Sequence, residues 1–152
     1  MNDNAIIYKP DEAGDKQMVF DLITSMYGGI ALMMRAQQRT LDKDVLDLAD
    51  KLESSHTKLT EELKMYASGK GWIIPAGELD ADVSNREMMA QLDNETYQKQ
   101  WLEALLDRHQ TNVNKLENAE PYDSRLKSMA EKGASKLKDY ISEIMDVETK
   151  VS

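Results

Sequence analysis

Residues 45–66 read VLDLADKLESSHTKLTEELKMY, and this stretch decides the fold class. Its apolar side chains recur every three or four residues, which places them on one face of an α-helix. Asp42 precedes the stretch at the position of an N-cap, and Gly69 follows it at the position of a helix stop. The stretch therefore predicts an amphipathic helix from the Asp42 cap to Ser68. Its predicted buried face consists of Val45, Leu48, Leu52, His56, Leu59, Leu63 and Tyr66.

Three further segments repeat this pattern, over about residues 15–40, 94–119 and 123–147, and the prolines lie between the helices. Residues 1–14 are polar and without periodicity, so we predict a flexible tail before one folded domain over residues 15–148. Residues 70–93 form a long connection with a short helical turn over about residues 84–92, where Ser84 and Glu87 have the spacing of a capping box. The other predicted buried faces are Val19, Leu22, Ile23, Met26, Ile30 and Met33 in the first helix, Tyr97, Trp101, Leu105, His109, Val113 and Leu116 in the third, and Leu126, Met129, Gly133, Leu137, Tyr140, Ile141 and Ile144 in the fourth.

Four long helices with one apolar stripe each predict a four-helix bundle. Two of the connections are short, which makes the helices that they join antiparallel neighbours. The connection over residues 70–93 is long enough to run the length of the bundle, about 42 Å for a helix of some 28 residues. Helices two and three would then be parallel. The predicted fold is all-α, a ferritin-like four-helix bundle with a long crossover between helices two and three.

Composition excludes several classes of function. The 152 residues suit one domain, and the net charge of −9 argues against binding nucleic acid or an anionic membrane surface. The chain has no cysteine, which excludes disulfides, thiolate zinc sites and cysteine nucleophiles. No segment approaches the roughly 20 apolar residues of a membrane span, and the start lacks the pattern of an export signal. We therefore expect either a cytoplasmic protein or an exported one whose signal has been removed.

The two histidines of the chain, His56 and His109, both lie on predicted buried faces. Each is about 14 or 15 residues into its helix, so parallel helices would bring them to the same height. A buried imidazole must find a partner for each ring nitrogen. This pair is the candidate functional feature of the sequence.

Glycines are expected at the same height in the other two helices. Counting along the first helix reaches Met26, Gly28 and Gly29, and counting along the fourth reaches Gly133. Glycine inside a helix costs about 1 kcal/mol relative to alanine, so these positions need an explanation. One hypothesis is a small polar cavity lined by Met26, Gly29 and Gly133. The alternative is that the glycines allow close helix packing.

The histidines could serve as metal ligands or as hydrogen-bonded core groups. A di-iron site is excluded, because it needs a Glu-x-x-His motif on two helices. Glu53 and His56 provide one such motif, but Leu106 stands three residues before His109. A tetrahedral zinc site needs three or four protein ligands, and Glu53 is the candidate third. Thioether ligands from Met26 or Met33 would instead favour copper(I). No cofactor and no catalytic residue are predicted.

Several motifs together resemble the domain-of-unknown-function 4142 family over about residues 18–145. They are Leu52-x-x-x-His56-Thr57, Ala67-x-x-Lys70-Gly71-Trp72-x-x-Pro75, Tyr97-x-x-x-Trp101-Leu102 and Arg108-His109-Gln110. The resemblance implies a ferritin-like bundle, usually exported by bacteria and often described as an outer-membrane protein, with no established activity.

The chain departs from the family pattern at two positions. The family tends to carry a glutamate shortly after the glycine pair, whereas Ile30, Ala31 and Leu32 follow Gly29 here. It also often carries a histidine late in the fourth helix, where Tyr140 stands. Both departures weaken a metal site carried over from relatives. We therefore expect a non-catalytic structural or interaction protein of the bacterial envelope with an unknown protein partner, the alternative being a metal-binding protein that uses His56, His109 and Glu53.

Overall fold

A computed structural model describes residues 8–152, and this part of the chain is all-α, without strands. Its helices are α1 (Glu12–Ala36), α2 (Lys43–Gly69), α3 (Asp80–Met89), α4 (Asn94–Asn118) and α5 (Ser124–Val151). The four long helices are those predicted, with α4 and α5 as the predicted third and fourth. The all-α class is therefore confirmed.

The helix ends follow from local capping. Asp93 caps α4 by accepting a hydrogen bond from the Thr96 amide at 2.8 Å. Asp42 occupies the N-cap position of α2, as predicted, but its carboxylate accepts from Gln98 and makes no capping hydrogen bond. α1 begins at Glu12 because the Asp11 carboxylate accepts from the Gly14 amide at 2.8 Å. The predicted tail over residues 1–14 thus overlaps the first turn of α1, while residues 1–7 lie outside the described residues.

The connection between α2 and α4 holds more helix than predicted. α3 begins at Asp80, so Ser84 lies inside the helix and does not cap it. Asp80 and Asp82 occupy the first turn, where carboxylates interact favourably with the helix dipole. The predicted capping box is wrong because this acidic turn starts the helix four residues earlier.

The long helices pack through the predicted stripes. α1 lies along α2 and α4 along α5, with further contacts between α1 and α4 and between α2 and α5. α3 contacts α1 and α4. The Tyr66 hydroxyl donates to Asp123 at 2.5 Å, and Lys51 pairs with Glu143, so α2 and α5 run antiparallel. The fully buried side chains include Ile23, Val45, Leu52, Trp101, Leu105 and Ile144.

α1 is long and apolar enough to span a membrane by length and composition alone. The sequence prediction that no segment approaches a membrane span overlooked this helix. Half of its most apolar stretch is buried against the rest of the protein. The core helix of a folded domain and a signal sequence both have this property, so it identifies no membrane segment by itself.

Candidate functional site

The structure brings His56 of α2 and His109 of α4 into direct contact. Their ring centroids are 4.9 Å apart, and the planes meet edge to face at 61°. His56 is 2% exposed and His109 1% exposed. Both lie on the buried faces that the three- and four-residue spacing predicted.

Each imidazole is oriented by its own helix. The His56 Nδ1–H donates to the Leu52 carbonyl at 2.9 Å, and the His109 Nδ1–H donates to the Leu105 carbonyl at 2.8 Å. Because a carbonyl only accepts, both neutral rings carry their proton on Nδ1 and present a lone pair at Nε2. The Nε2 atom of His109 is buried and has no hydrogen-bond partner within residues 8–152.

Burial keeps both rings uncharged. It is the main cause that lowers the pKa of His56 from 6.5 to about 3, and the neighbouring His109 contributes a smaller part of that lowering. Burial likewise lowers the pKa of His109 to about 4, with a smaller effect from the charge of Arg108. The pair is therefore neutral at pH 7, which is the protonation state of a metal ligand and also of a core group.

Tyr140 of α5 completes the histidine layer. Its ring centroid lies 6.1 Å from that of His56 and 6.3 Å from that of His109. Its hydroxyl shares a hydrogen bond with the Ser55 hydroxyl. Tyr140 thus presents a phenol ring to the two imidazoles.

The predicted third ligand is engaged elsewhere. The Glu53 carboxylate accepts a hydrogen bond from the Gln37 amide nitrogen at 2.6 Å on the exposed surface. Within the described part of the chain, no three His, Cys, Asp or Glu side chains are grouped so that they could hold a metal ion. The site that the geometry offers is a pair of imidazole nitrogens.

The glycine pair of α1 lies against Arg108, which the sequence analysis did not select. The Arg108 guanidinium donates to Asp82 at 2.7 Å and to the Ser25 carbonyl at 3.0 Å. A Cβ atom on Gly28 would overlap the Asp82 carboxylate, and one on Gly29 would lie 3.2 Å from Arg108 Cδ. Close packing, the alternative reading of these glycines, therefore explains this pair. The sequence analysis missed Arg108 because the helical period of α1 does not show which side chain lies opposite its glycine pair.

The other two predicted cavity residues lie together at a different place. Met26 and Gly133 line a cleft of about 540 Å³, which neither histidine lines. Most of its lining is apolar, with charged side chains only at its edge. The structure thus separates Gly29, beneath Arg108, from Met26 and Gly133, and places the void away from the histidine layer.

The family model described as Domain of unknown function (DUF4142) matches residues 8–147. The chain belongs to the DUF4142 family. The resemblance carried by the histidine, glycine and tryptophan motifs is thus confirmed over nearly the whole chain. No curated protein and no solved structure matches the chain. The function of this DUF4142 protein must therefore be argued from its own geometry.

Proposed function

We propose that this DUF4142 protein is a non-catalytic helical bundle that acts as a structural or interaction protein of the bacterial envelope. The observation that carries the proposal is the state of His56 and His109. Both rings are neutral, almost fully shielded, and hydrogen-bonded to carbonyls of their own helices. General acid or base catalysis needs a titratable group within reach of a substrate, and these two are out of reach.

We further propose that the four long helices form a ferritin-like bundle with a crossover between α2 and α4. The helix pairing supports this arrangement. α5 runs antiparallel to α2, and it also runs antiparallel to α4, to which a short turn joins it. α2 and α4 would then be parallel, and residues 70–93, including α3, would return the chain along the bundle.

The envelope location rests on the family resemblance and is tested by fractionation. Source cells are separated into cytoplasm, periplasm and membranes, and each fraction is immunoblotted for the chain. We expect the protein in the periplasmic or membrane fraction, together with an envelope marker. Recovery with a cytoplasmic marker would contradict the location.

A second function, metal handling, is favoured by one specific observation. The Nε2 atom of His109 is buried and has no partner among the described residues. The Nδ1–H of each ring is bonded to a carbonyl, as is usual for metal-ligating histidines. Two neutral imidazoles are too few for zinc, which takes three or four protein ligands. Copper(I) accepts fewer ligands and is the ion that this pair would suit.

Metal analysis separates the two functions. Wild type, His56→Leu/His109→Leu and the control Thr60→Val are loaded with copper(I) without oxygen, and in parallel with zinc, and then desalted. Thr60 is a suitable control because it is buried one turn from His56 but is not a metal ligand. Metal handling predicts about one copper per chain in wild type and Thr60→Val, and none in the double variant. Less than about 0.5 equivalents of metal per chain in wild type would contradict metal handling and favour the structural role.

A further inference from the structure

The apolar cleft is an open feature of the described residues that the histidine layer does not explain. It is about 540 Å³ in volume, within the range of roughly 300–1,000 Å³ typical of small-molecule sites. All four long helices contribute to its lining. Leu59 and Leu63 of α2 face it and remain only partly buried, although they belong to the apolar stripe of that helix.

Gly133, in the interior of α5, lines this cleft. Glycine destabilises a helix interior relative to alanine, so it needs a compensating reason. A Cβ atom at this position would meet only Leu116 Cδ1, at the ordinary contact distance of 3.6 Å. Close packing therefore does not require glycine here, in contrast to Gly28. Its effect is to leave space at the cleft wall.

Three methionines, Met18, Met26 and Met129, line the cleft. The flexible thioether side chain of methionine adapts to ligands of variable shape and is common at apolar binding surfaces. An elongated hydrocarbon chain is a ligand that such a lining accommodates. The lining thus favours an acyl chain over a rigid polar molecule.

The edge of the cleft carries exposed charges. Lys132 and Lys136 of α5 are one helical turn apart there, and Glu62 and Asp139 lie at the same edge. None of the four forms a salt bridge in the part of the chain that the structure describes, residues 8–152. The two lysines flank Gly133 and could receive an anionic head group.

We propose that the cleft binds a single-chain fatty acid, with the acyl chain against Met26 and Gly133 and the carboxylate at Lys132 and Lys136. This site is separate from the histidine layer and goes beyond the proposed structural role. The protein would then bind an amphiphile that is released from lipids.

Calorimetric titration of the full chain with dodecanoate, below its micelle concentration, tests the site. We expect saturable binding of one molecule per chain. Gly133→Leu fills the wall and should weaken binding at least about tenfold, the effect of displacing roughly two buried methylenes. Ser142→Leu is the matched control, because it adds the same side chain to an exposed position of α5. It should leave the affinity unchanged.

A second variant keeps the test valid if Gly133→Leu fails to fold. Lys132→Glu/Lys136→Glu changes only exposed residues. It should weaken dodecanoate binding at least about tenfold, because the charge-assisted hydrogen bonds to the carboxylate are lost. The absence of saturable binding, or equal affinity in a folded Gly133→Leu, would overturn the site. Equally tight binding of dodecyltrimethylammonium would overturn the assignment of the head group.

Discussion

The tautomer of each buried histidine is set by a contact four residues away in the same helix. The Leu52 and Leu105 carbonyls accept the Nδ1–H groups, so helix formation alone orients both rings. Tertiary packing adds the burial and the 4.9 Å contact between them. Over residues 8–152 burial leaves the His109 Nε2 atom without a partner, and an unsatisfied group of this kind costs about 1–3 kcal/mol.

The histidine pair makes stability depend on pH. Unfolded histidine titrates near pH 6.5, whereas burial lowers the pKa of His56 to about 3 and that of His109 to about 4. Between about pH 4 and 6.5 the unfolded chain therefore binds more protons than the folded one. Above pH 6.5 the histidines are neutral in both states and do not lower the free energy of unfolding. As the pH falls through this window, the free energy of unfolding decreases by up to about 1.4 kcal/mol per pH unit for each histidine.

Urea unfolding of wild type and His56→Leu/His109→Leu at pH 7.5, 6 and 5 measures this dependence. We expect the free energy of unfolding of wild type to fall more steeply with decreasing pH, because the carboxylates titrate in both proteins but the histidines only in wild type. Parallel pH profiles for the two proteins would show that the imidazoles do not carry the effect.

At the scale of the helices, the glycines inside α1 and α5 differ in how closely their neighbours approach them. A Cβ on Gly14 would overlap the Lys9 carbonyl oxygen and one on Gly28 the Asp82 carboxylate, whereas one on Gly133 would only be in ordinary contact with Leu116. The distinction depends on what lies opposite each helix, which the helical period does not contain. The contacts of Arg108 are equally invisible to the helical period. Arg108 of α4 pairs with Asp82 of α3 and donates to the Ser25 carbonyl of α1.

Alanine at two glycines should have opposite effects on stability. In Gly14→Ala the new Cβ overlaps the Lys9 carbonyl oxygen, so the segment before α1 must move. We expect a loss of about 1–3 kcal/mol in the free energy of unfolding. In Gly133→Ala the Cβ fits and the helix propensity improves, so we expect a gain of about 0.5–1 kcal/mol. Urea unfolding of both variants at pH 7.5 checks the signs, and a shared sign would contradict this account.

The ion pair between Asp82 and Arg108 should hold α3 against the long helices. Asp82→Ala removes the carboxylate from a partly buried guanidinium, so we expect the amides of residues 80–89 to exchange about tenfold faster. Hydrogen exchange read by mass spectrometry measures this, with peptides from α2 as an internal reference. Glu87→Ala, an exposed change on the same helix, is the matched control. Equal exchange in the two variants would mean that the pair does not tether α3.

At the scale of the whole molecule, one core joins all four long helices. Trp101 of α4 is fully buried, and its Nε1–H donates to the Leu32 carbonyl of α1 at 3.0 Å. Trp72, at one end of the molecule, is only partly buried and meets Tyr66 edge to face at 5.7 Å. Trp101 therefore links two long helices within the core, whereas Trp72 packs at the edge of the core.

Trp101→Phe should destabilise the whole domain. It removes the hydrogen bond to Leu32 and leaves a void, for a loss of about 2–3 kcal/mol in the free energy of unfolding. Trp72→Phe is the matched control, with an expected loss below about 1 kcal/mol because its site is partly solvated. Urea unfolding followed by circular dichroism compares them. A larger loss in Trp72→Phe would contradict the central role of Trp101.

Periodicity, capping residues and composition determined the all-α class, the four long helices and their buried faces. They also placed His56 and His109 at similar distances from the starts of their helices, because a helix rises by a constant amount per residue. These properties depend only on residues close along the chain, so the sequence by itself suffices for them.

The tertiary structure alone decided what stands beside each of these residues. It placed Glu53 with Gln37, Gly28 beneath Asp82 and Arg108, and Met26 with Gly133 at the cleft. Such partners are distant in sequence, and their contacts depend on the rotation and separation of packed helices. The helical period specifies which face is buried, but the neighbour that each side chain meets is set by how the faces dock.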